Sequence, residues 1–196
     1  MRVYVPEKVF SLERFVADVE RVYKQHGRCL VAASEGIHDA AGKTLIDTKE
    51  KDSHGNAQLS GSGALGDFLA AHLKQKLGEK LRVRADTFGY LQRSFPGVIS
   101  PSDAKEARQA GRTAVKLAQK HRHGSVALIR TPGETYAIRF EHTELKNVAK
   151  DTRPMEARFL KGDNDIAPQF LEYARPLVGH LPVCARLSDF QVAKKL

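Results

Sequence analysis

The sequence predicts an α/β protein, a layered α/β/α lobe with a mostly parallel sheet and a peripheral C-terminal segment at 151–196. Helix-like and strand-like segments alternate along most of its 196 residues, the order that right-handed crossovers and a parallel sheet require. The strand-like run at 28–33 is apolar without alternation, as in strands covered on both faces. With 41% hydrophobic residues, the chain can bury the core of a single lobe spanning 1–196.

Three helices are predicted from apolar residues that recur at helical spacing. The first covers 11–26, where Ser11 is the expected N-cap. The second covers 63–77, and the third begins with Pro101 at its first position. Small residues on one face of the third helix predict a close approach to a sheet: Ala107, Ala110, Gly111 and Ala114. A further short helix is expected at 169–174.

Further strands are predicted where apolar and charged residues alternate. The segment KLRVRADTF, residues 80–88, shows this alternation and predicts a second strand. The segments 125–131 and 134–145 are expected to be two more strands, joined by a turn at Pro132. Residues 37–59 are rich in Asp, Gly, Lys, Ser and His, which predicts a surface hairpin.

Charge and composition narrow the class of partner. Lys and Arg exceed Asp and Glu by nine, which favours polyanions such as nucleic acid or phosphorylated metabolites. The basic residues are scattered and Trp is absent, so no stacking platform for single strands is indicated. No apolar run spans a bilayer and no signal peptide is visible, so we expect a cytoplasmic protein without a membrane partner. Neither Cys nor His residues show ligand spacing, so no metal site is predicted.

Polar residues follow two predicted strands at positions where core packing does not require them. Ligands of open α/β sheets bind beyond the carboxyl ends of the strands. Glu35 follows the first strand in Ser-Glu-Gly, while Tyr90 and Arg93 lie in the corner Gly-Tyr-Leu-Gln-Arg after the second. A carboxylate accepts hydrogen bonds from hydroxyls, and a guanidinium holds a phosphate with two. With Arg84 they suit a phosphorylated, polyhydroxylated molecule, although each residue alone is more often solvated or structural.

Three segments of the chain together resemble the carboxyl-terminal half of phosphofructokinases, and specifically of the pyrophosphate-dependent branch. They are VPEKVFSLERFVADVERVYKQHGRCLVAASEGIHD, RVRADTFGYLQRS and EYARPLVG. ATP-dependent relatives typically have His in place of Tyr90 and Gly-Gly in place of Ser94 and Phe95, so this corner favours pyrophosphate as the phosphoryl donor. The resemblance covers nearly the whole chain and implies the Rossmann-like half of the phosphofructokinase fold.

The resemblance implies a glycolytic transferase that moves a phosphoryl group from pyrophosphate to the 1-hydroxyl of fructose 6-phosphate. It implies that Glu35, Tyr90 and Arg93 bind fructose 6-phosphate within their own subunit. Arg84 would reach the 6-phosphate in a neighbouring subunit's site, in a homo-oligomer. Mg²⁺ is the implied cofactor, held mainly by the family's amino-terminal half.

Motifs of that amino-terminal half are missing from the sequence: the Gly-rich phosphate loop, Gly-Gly-Asp, Met-Gly-Arg and the Thr-Ile-Asp-Asn-Asp run with the catalytic Asp. No catalytic residue is therefore assigned here, and we expect a fragment or split product that is inactive alone. Two other hypotheses stay open. One is a non-catalytic basic module for nucleic acid or an acidic partner, disfavoured by the scattered charge; the other is an ATP-dependent phosphofructokinase.

Overall fold

The computed structural model of the chain describes residues 1–46, 63–89, 95–120, 123–133, 135–148, 153–183 and 185. The chain divides into two compact units. Unit 1 comprises Met1–Val98 and Thr152–Leu171, and unit 2 comprises Ile99–Asp151 and Glu172–Leu196. The single lobe and the peripheral segment at 151–196 stay predictions, and most of the hairpin predicted at 37–59 lies outside the described residues.

The helices follow the predicted order, whereas the strands do so only in part. The helices among the described residues are α1 (Leu12–His26), α2 (Ala64–Leu77), α3 (Pro101–Ala118) and α4 (Pro168–Val178). The strands there are β1 (Arg2–Tyr4), β2 (Val31–Ala33), β3 (Ser125–Arg130), β4 (Ile138–Thr143), β5 (Leu160–Lys161) and β6 (Asp165–Ile166). Short 3₁₀ turns cover Leu145–Asn147 and Ala157–Phe159. The predicted helices and the hairpin of β3 and β4 are confirmed.

Strand pairing in the described part of the chain consists of three two-stranded sheets. β1 and β2 are parallel, whereas β3 with β4 and β5 with β6 are antiparallel. The strand predicted at 80–88 is wrong, because residues 82–88 have no strand partner in the described chain and form no ladder. Helices combined with a parallel strand pair agree with the predicted α/β class.

Helix α1 forms where the local sequence satisfies both of its ends. The Ser11 hydroxyl accepts a hydrogen bond from the Arg14 N–H at 3.3 Å, as an N-cap does. Gly27 adopts φ 66°, and its N–H donates to the Tyr23 carbonyl at 2.7 Å, which ends the helix. The residues that α1 buries are Phe15, Val19 and Val22. This face anchors the helix in the core of unit 1.

The core of unit 1 is built on aromatic rings and two fully buried side chains. Tyr4 contacts Phe10 and Phe15 edge to face, with ring centroids 5.2 Å and 5.5 Å apart. Phe15 and Ile37 are 1% and 0% exposed. Helix α2 contributes buried residues from one of its faces, namely Leu65, Leu69 and Leu73. β1, α1, α2 and the loop after β2 therefore share one core.

The segment 153–171 belongs to unit 1 and lies beside β1. The Val3 N–H donates to the Asn164 carbonyl at 2.9 Å, which brings β6 and its turn against the first strand. Phe159 is buried, and its ring meets that of Phe170 edge to face at 5.8 Å. A segment far along the sequence thus completes the unit formed by the first 98 residues.

Unit 2 contains α3, the β3–β4 hairpin and the C-terminal part of α4. The Ser100 hydroxyl accepts a hydrogen bond from the Asp103 N–H at 3.0 Å, so the N-terminus of α3 is capped. The Ser102 hydroxyl donates to the Pro176 carbonyl at 3.0 Å, which ties α3 to α4. None of the residues that the structure describes in unit 2 is fully buried.

Three of the four small residues of α3 predicted to approach a sheet are exposed instead. Ala107, Gly111 and Ala114 are exposed, and a Cβ placed on Gly111 would meet no atom within 4 Å. The half-buried residues of α3 are Ser102, Ala104, Glu106, Ala110, Thr113 and Leu117. Glu106, on this other face, lies close enough to the Tyr136 hydroxyl to raise the pKa of that phenol.

Arg130 joins the hairpin to α4 within unit 2. Its guanidinium carbon lies 4.9 Å from the ring centres of both Tyr136 and Tyr173, a cation–π geometry. Its Nη1 donates to the Tyr173 carbonyl at 2.9 Å. Partial burial, followed by the hydrogen bond to Glu106, raises the pKa of Tyr136 to about 12. The Tyr136 phenol therefore stays neutral across the physiological pH range.

Replacing Phe15 by Ala should lower the free energy of unfolding by about 3–5 kcal/mol, because a fully buried ring leaves a cavity when it is removed. Phe68→Ala is the matched control, since Phe68 is 36% exposed on α2, and it should cost about 1 kcal/mol or less. Urea denaturation followed by circular dichroism measures both. Equal losses in the two variants would contradict the core assigned to unit 1.

The raised pKa of Tyr136 predicts a stability contribution that depends on pH. The folded state holds the phenolic proton more tightly than the unfolded state, whose pKa is 10.0. The contribution is therefore present below pH 10 and is lost as the pH rises to about 12. In urea titrations, the stability advantage of the wild type over Tyr136→Phe should shrink across that range.

Glu106→Gln serves as the companion variant, because it removes the charge that disfavours the phenolate. It should weaken the dependence on pH while an amide keeps a hydrogen-bonding group beside the phenol. An advantage of the wild type over Tyr136→Phe that is the same at every pH would show that Tyr136 is not perturbed by folding.

Candidate functional site

The carboxyl ends of β1 and β2 lie at the same edge of the parallel pair. Tyr4 is opposite Ala33, so the chain leaves both strands side by side. Beyond this edge, Val9 and His38 form a further parallel bridge. Ligands of α/β sheets bind beyond such strand ends, which makes the turn after β2 the candidate site.

The turn that carries Glu35 is fixed on both sides. Its first residue, Ser34, donates its N–H to the carbonyl that ends β1 at 3.0 Å, and its hydroxyl accepts from the Gly36 N–H at 3.3 Å. Ile37 is fully buried and anchors the chain directly after the turn. A Cβ on Gly36 would lie 3.3 Å from Pro6 Cγ, so the two chains leaving the strands run close together. Glu35 is half-buried at this edge.

The segment that carries Arg84 lies along α2 instead of in a sheet. Val83 contacts the core of unit 1, and the Ala85 methyl lies 3.0 Å from the position of a Cβ on Gly66 of α2. Val83 and Ala85 also line a shallow hollow against α2. Arg84 stands between them and is exposed, which is the direction that the predicted alternation gives it.

Tyr90 and Arg93 lie outside the described residues. The structure therefore places two of the four predicted binding residues, Glu35 and Arg84, and both belong to unit 1. The hollow that Glu35, Tyr90 and Arg93 are predicted to share stays a prediction.

A cavity of about 400 Å³ opens elsewhere in unit 1, beside α1, and neither Glu35 nor Arg84 lines it. Its polar wall centres on Asp18, which accepts hydrogen bonds from the Tyr4 hydroxyl at 3.4 Å and from Asn164 Nδ2, and which pairs with Arg21. Burial, followed by the Asp18 charge, raises the pKa of Tyr4, so its phenol stays a donor. Asp18 is satisfied by groups of this chain, which indicates a structural link between α1, β1 and the 153–171 segment.

Sequence reasoning did not find Asp18 and Asn164. Asp18 lies next to the apolar stripe of α1, and an acid beside buried positions is the signal that could have marked it. Asn164 lies in a Gly-Asp-Asn-Asp turn that resembles an ordinary surface turn. Its partner is 146 positions away in the sequence, so no local pattern connects the two.

The described part of the chain lacks the features of a metal centre and of a membrane-spanning helix. No group of three or more His, Cys, Asp and Glu residues there could hold a metal ion. The helices of the described chain include none that is both long and apolar enough to cross a bilayer. Cys29 is a half-buried free thiol whose pKa is raised by burial.

Sequence comparison identifies relatives over nearly the whole chain, although no family profile matches it. The pyrophosphate–fructose 6-phosphate 1-phosphotransferase of Rhodospirillum rubrum is 47% identical over 201 residues, covering 99% of this chain and 49% of the relative. The enzyme of the same name from Xanthomonas campestris is 34% identical over 207 residues, covering 99% and 48%. The chain belongs to the phosphofructokinase family. It spans about half the length of the curated relatives it matches.

Solved structures show the same relationship. The pyrophosphate-dependent phosphofructokinase of Nitrosospira multiformis superimposes with a TM-score of 0.69 at 26% identity, over 100% of this chain and 47% of that one. The corresponding enzyme of Marinobacter aquaeolei gives 0.70 at 23% identity and shares the fold. The predicted α/β class, as half of a phosphofructokinase fold, is confirmed. A sulfofructose kinase of Alkalicoccus urumqiensis is 33% identical over 122 residues, 62% of this chain and 30% of the relative.

Proposed function

We propose that this chain supplies the sugar-phosphate side of a pyrophosphate-dependent 6-phosphofructokinase, an enzyme of glycolysis in the cytoplasm. The complete enzyme transfers a phosphoryl group from pyrophosphate to the 1-hydroxyl of fructose 6-phosphate and yields fructose 1,6-bisphosphate. The observation that carries the proposal is the 47% identity, over 99% of the chain, to a relative named for this reaction. The position of Glu35 beyond the carboxyl ends of β1 and β2 supports it.

Three residues are proposed to bind fructose 6-phosphate within their own subunit. The Glu35 carboxylate accepts hydrogen bonds from sugar hydroxyls, and its fixed turn holds it at the sheet edge. The Tyr90 phenol offers one polar group at a defined reach. The Arg93 guanidinium holds an anionic phosphate oxygen pair with two parallel hydrogen bonds. The proposed carboxylate of Glu35 matches the hydroxyl groups of the sugar, and the proposed guanidinium of Arg93 matches its phosphate.

Arg84 is proposed to act on a neighbouring subunit's site in a homo-oligomer. Val83 and Ala85 on either side of it face α2, so the Arg84 side chain leaves the segment on the opposite side. It is exposed, and a guanidinium in that position is available to a phosphate held by another copy of the chain.

The donor is proposed to be pyrophosphate. The relatives that cover the whole chain carry pyrophosphate in their names, and Tyr90 and Ser94 stand where ATP-dependent members typically have His and Gly. The ATP-dependent alternative would show turnover with ATP in the assembled enzyme.

Phosphoryl transfer depends on positioning and on neutralising the charge of the transferred group. The sequence contains no Gly-rich phosphate loop and no Thr-Ile-Asp-Asn-Asp run. Among the described residues no cluster suits a divalent cation. Mg²⁺ is therefore assigned to the rest of the enzyme, and no step proposed for this chain runs through it.

A basic module that binds nucleic acid or an acidic partner is the alternative from another class. Its one support is the net charge of +9. Such binding would weaken steeply with salt and would not distinguish unrelated polyanions, whereas the proposed site selects fructose 6-phosphate.

The chain alone should show no turnover, because it lacks the groups that bind and activate the phosphoryl donor. Mixing it with the half of the Rhodospirillum rubrum relative that it does not match should restore fructose 1,6-bisphosphate formation from pyrophosphate, measured by a coupled aldolase assay. A 6-sulfonated fructose in place of fructose 6-phosphate tests the kinship with sulfofructose kinase. Two folded halves without activity on either sugar would count against the assignment.

Arg93→Ala should weaken binding of fructose 6-phosphate to the assembled enzyme by about 2–5 kcal/mol, the scale for truncating one partner of a buried, hydrogen-bonded charge pair. Isothermal titration calorimetry measures the change. Arg82→Ala is the matched control, because Arg82 is exposed and carries no proposed role. An affinity left unchanged by Arg93→Ala would remove Arg93 from the site.

A further inference from the structure

The segment 82–88 is held against α2 by alternate side chains. Ala85 lies opposite Gly66, and Thr87 Oγ1 lies 3.7 Å from the Cβ position of Gly63. Val83 contacts the core. Within the segment only Val83 is half-buried, and the remaining residues are exposed: Arg82, Arg84, Ala85, Asp86, Thr87 and Phe88. The segment therefore touches α2 through Val83, Ala85 and Thr87 without the hydrogen bonds of a ladder.

Gly66 is a point of close approach between this segment and α2. A Cβ there would stand 3.0 Å from the Ala85 Cβ, a distance at which one of the two must move by a few tenths of an ångström. Gly within a helix lowers its stability relative to Ala. Its presence in the first turn of α2 is explained by the space it leaves for Ala85.

We propose that Gly66 is a positioning residue for the sugar-phosphate site. Because Gly66 has no Cβ, the 82–88 segment can pack against α2 at a short, defined distance. This distance sets where the Arg84 side chain projects. The inference rests on the proposed function, because it assigns Gly66 a role through Arg84, with no contact to the ligand.

A methyl group at Gly66 would displace Ala85 away from α2, and Arg84, the preceding residue, would move with it. Binding by a guanidinium depends on two parallel hydrogen bonds, so its strength falls steeply with misplacement. A displacement of about 1 Å can cost about 100-fold in activity, and a few tenths of an ångström corresponds to an expected loss of about 10-fold.

The experiment compares Gly66→Ala with the double variant Gly66→Ala/Ala85→Gly, in which the added methyl group meets an empty position. Fructose 6-phosphate binding to the assembled enzyme is measured by calorimetry. Gly66→Ala should bind about 10-fold more weakly, and the double variant should return to within about 2-fold of the wild type. Gly111→Ala is the matched control: it is also a helical glycine, but nothing lies within 4 Å of its Cβ position, so affinity should not change.

A second measurement does not use the sugar. In the chain alone, backbone amide chemical shifts of residues 83–87 should move in Gly66→Ala and return toward wild-type values in the double variant. Unchanged shifts, or an affinity that the double variant fails to rescue, would overturn the inference. If the variants show these shift changes but the wild-type assembled enzyme binds no fructose 6-phosphate, the proposed function fails while the role of Gly66 in placing the segment stands.

Discussion

The parallel pairing of β1 with β2 is the constraint on which the candidate site depends. With Tyr4 opposite Ala33, both strands end at the same edge, and the chain must turn away there twice. The second turn is held because Ile37, which follows it, is fully buried. Glu35 therefore owes its position to two non-catalytic features, a strand register and a hydrophobic anchor. A shift in register would move the carboxylate away from the edge where a ligand can reach it.

Tyr4 links this edge to the rest of unit 1. Its ring contacts Phe10 and Phe15 in the core, while its hydroxyl donates to Asp18 on α1. Asp18 in turn accepts from Asn164, on a segment that joins the unit from far along the sequence. The Tyr4 side chain thus packs in the hydrophobic core with its ring and links β1 to α1 through the hydrogen bond of its hydroxyl. The buried hydroxyl of Tyr4 is acceptable because its partner is a carboxylate whose other oxygen pairs with Arg21.

Local chemistry explains why the helices could be predicted and the second strand could not. The ends of α1 and α3 are set by caps at Ser11, Gly27 and Ser100, whose hydrogen-bond partners lie within four residues. A strand forms only when it pairs with another strand, and the local sequence does not reveal which segment that is. Residues 82–88 have no such partner in the described chain. The position of Glu35 beyond the carboxyl end of a strand could be predicted from the order of the segments alone. The contact between Asp18 and Asn164 could not, because no local sequence pattern relates the two positions.

The alternation in 82–88 nevertheless predicted that Val83 and Ala85 share a face, and both approach α2 or the core while Arg84 between them is exposed. This is a consequence of how an extended chain is built. Successive side chains of an extended segment point to opposite sides, whether that segment packs against a strand or against a helix. The sequence pattern leaves the distance between the segment and α2 undetermined, because no ladder of hydrogen bonds fixes it. Van der Waals contact limits how near the segment comes to α2, and the Ala85 methyl lies 3.0 Å from the Cβ position of Gly66. The proposed placement of Arg84 therefore depends on the absence of a side chain at Gly66.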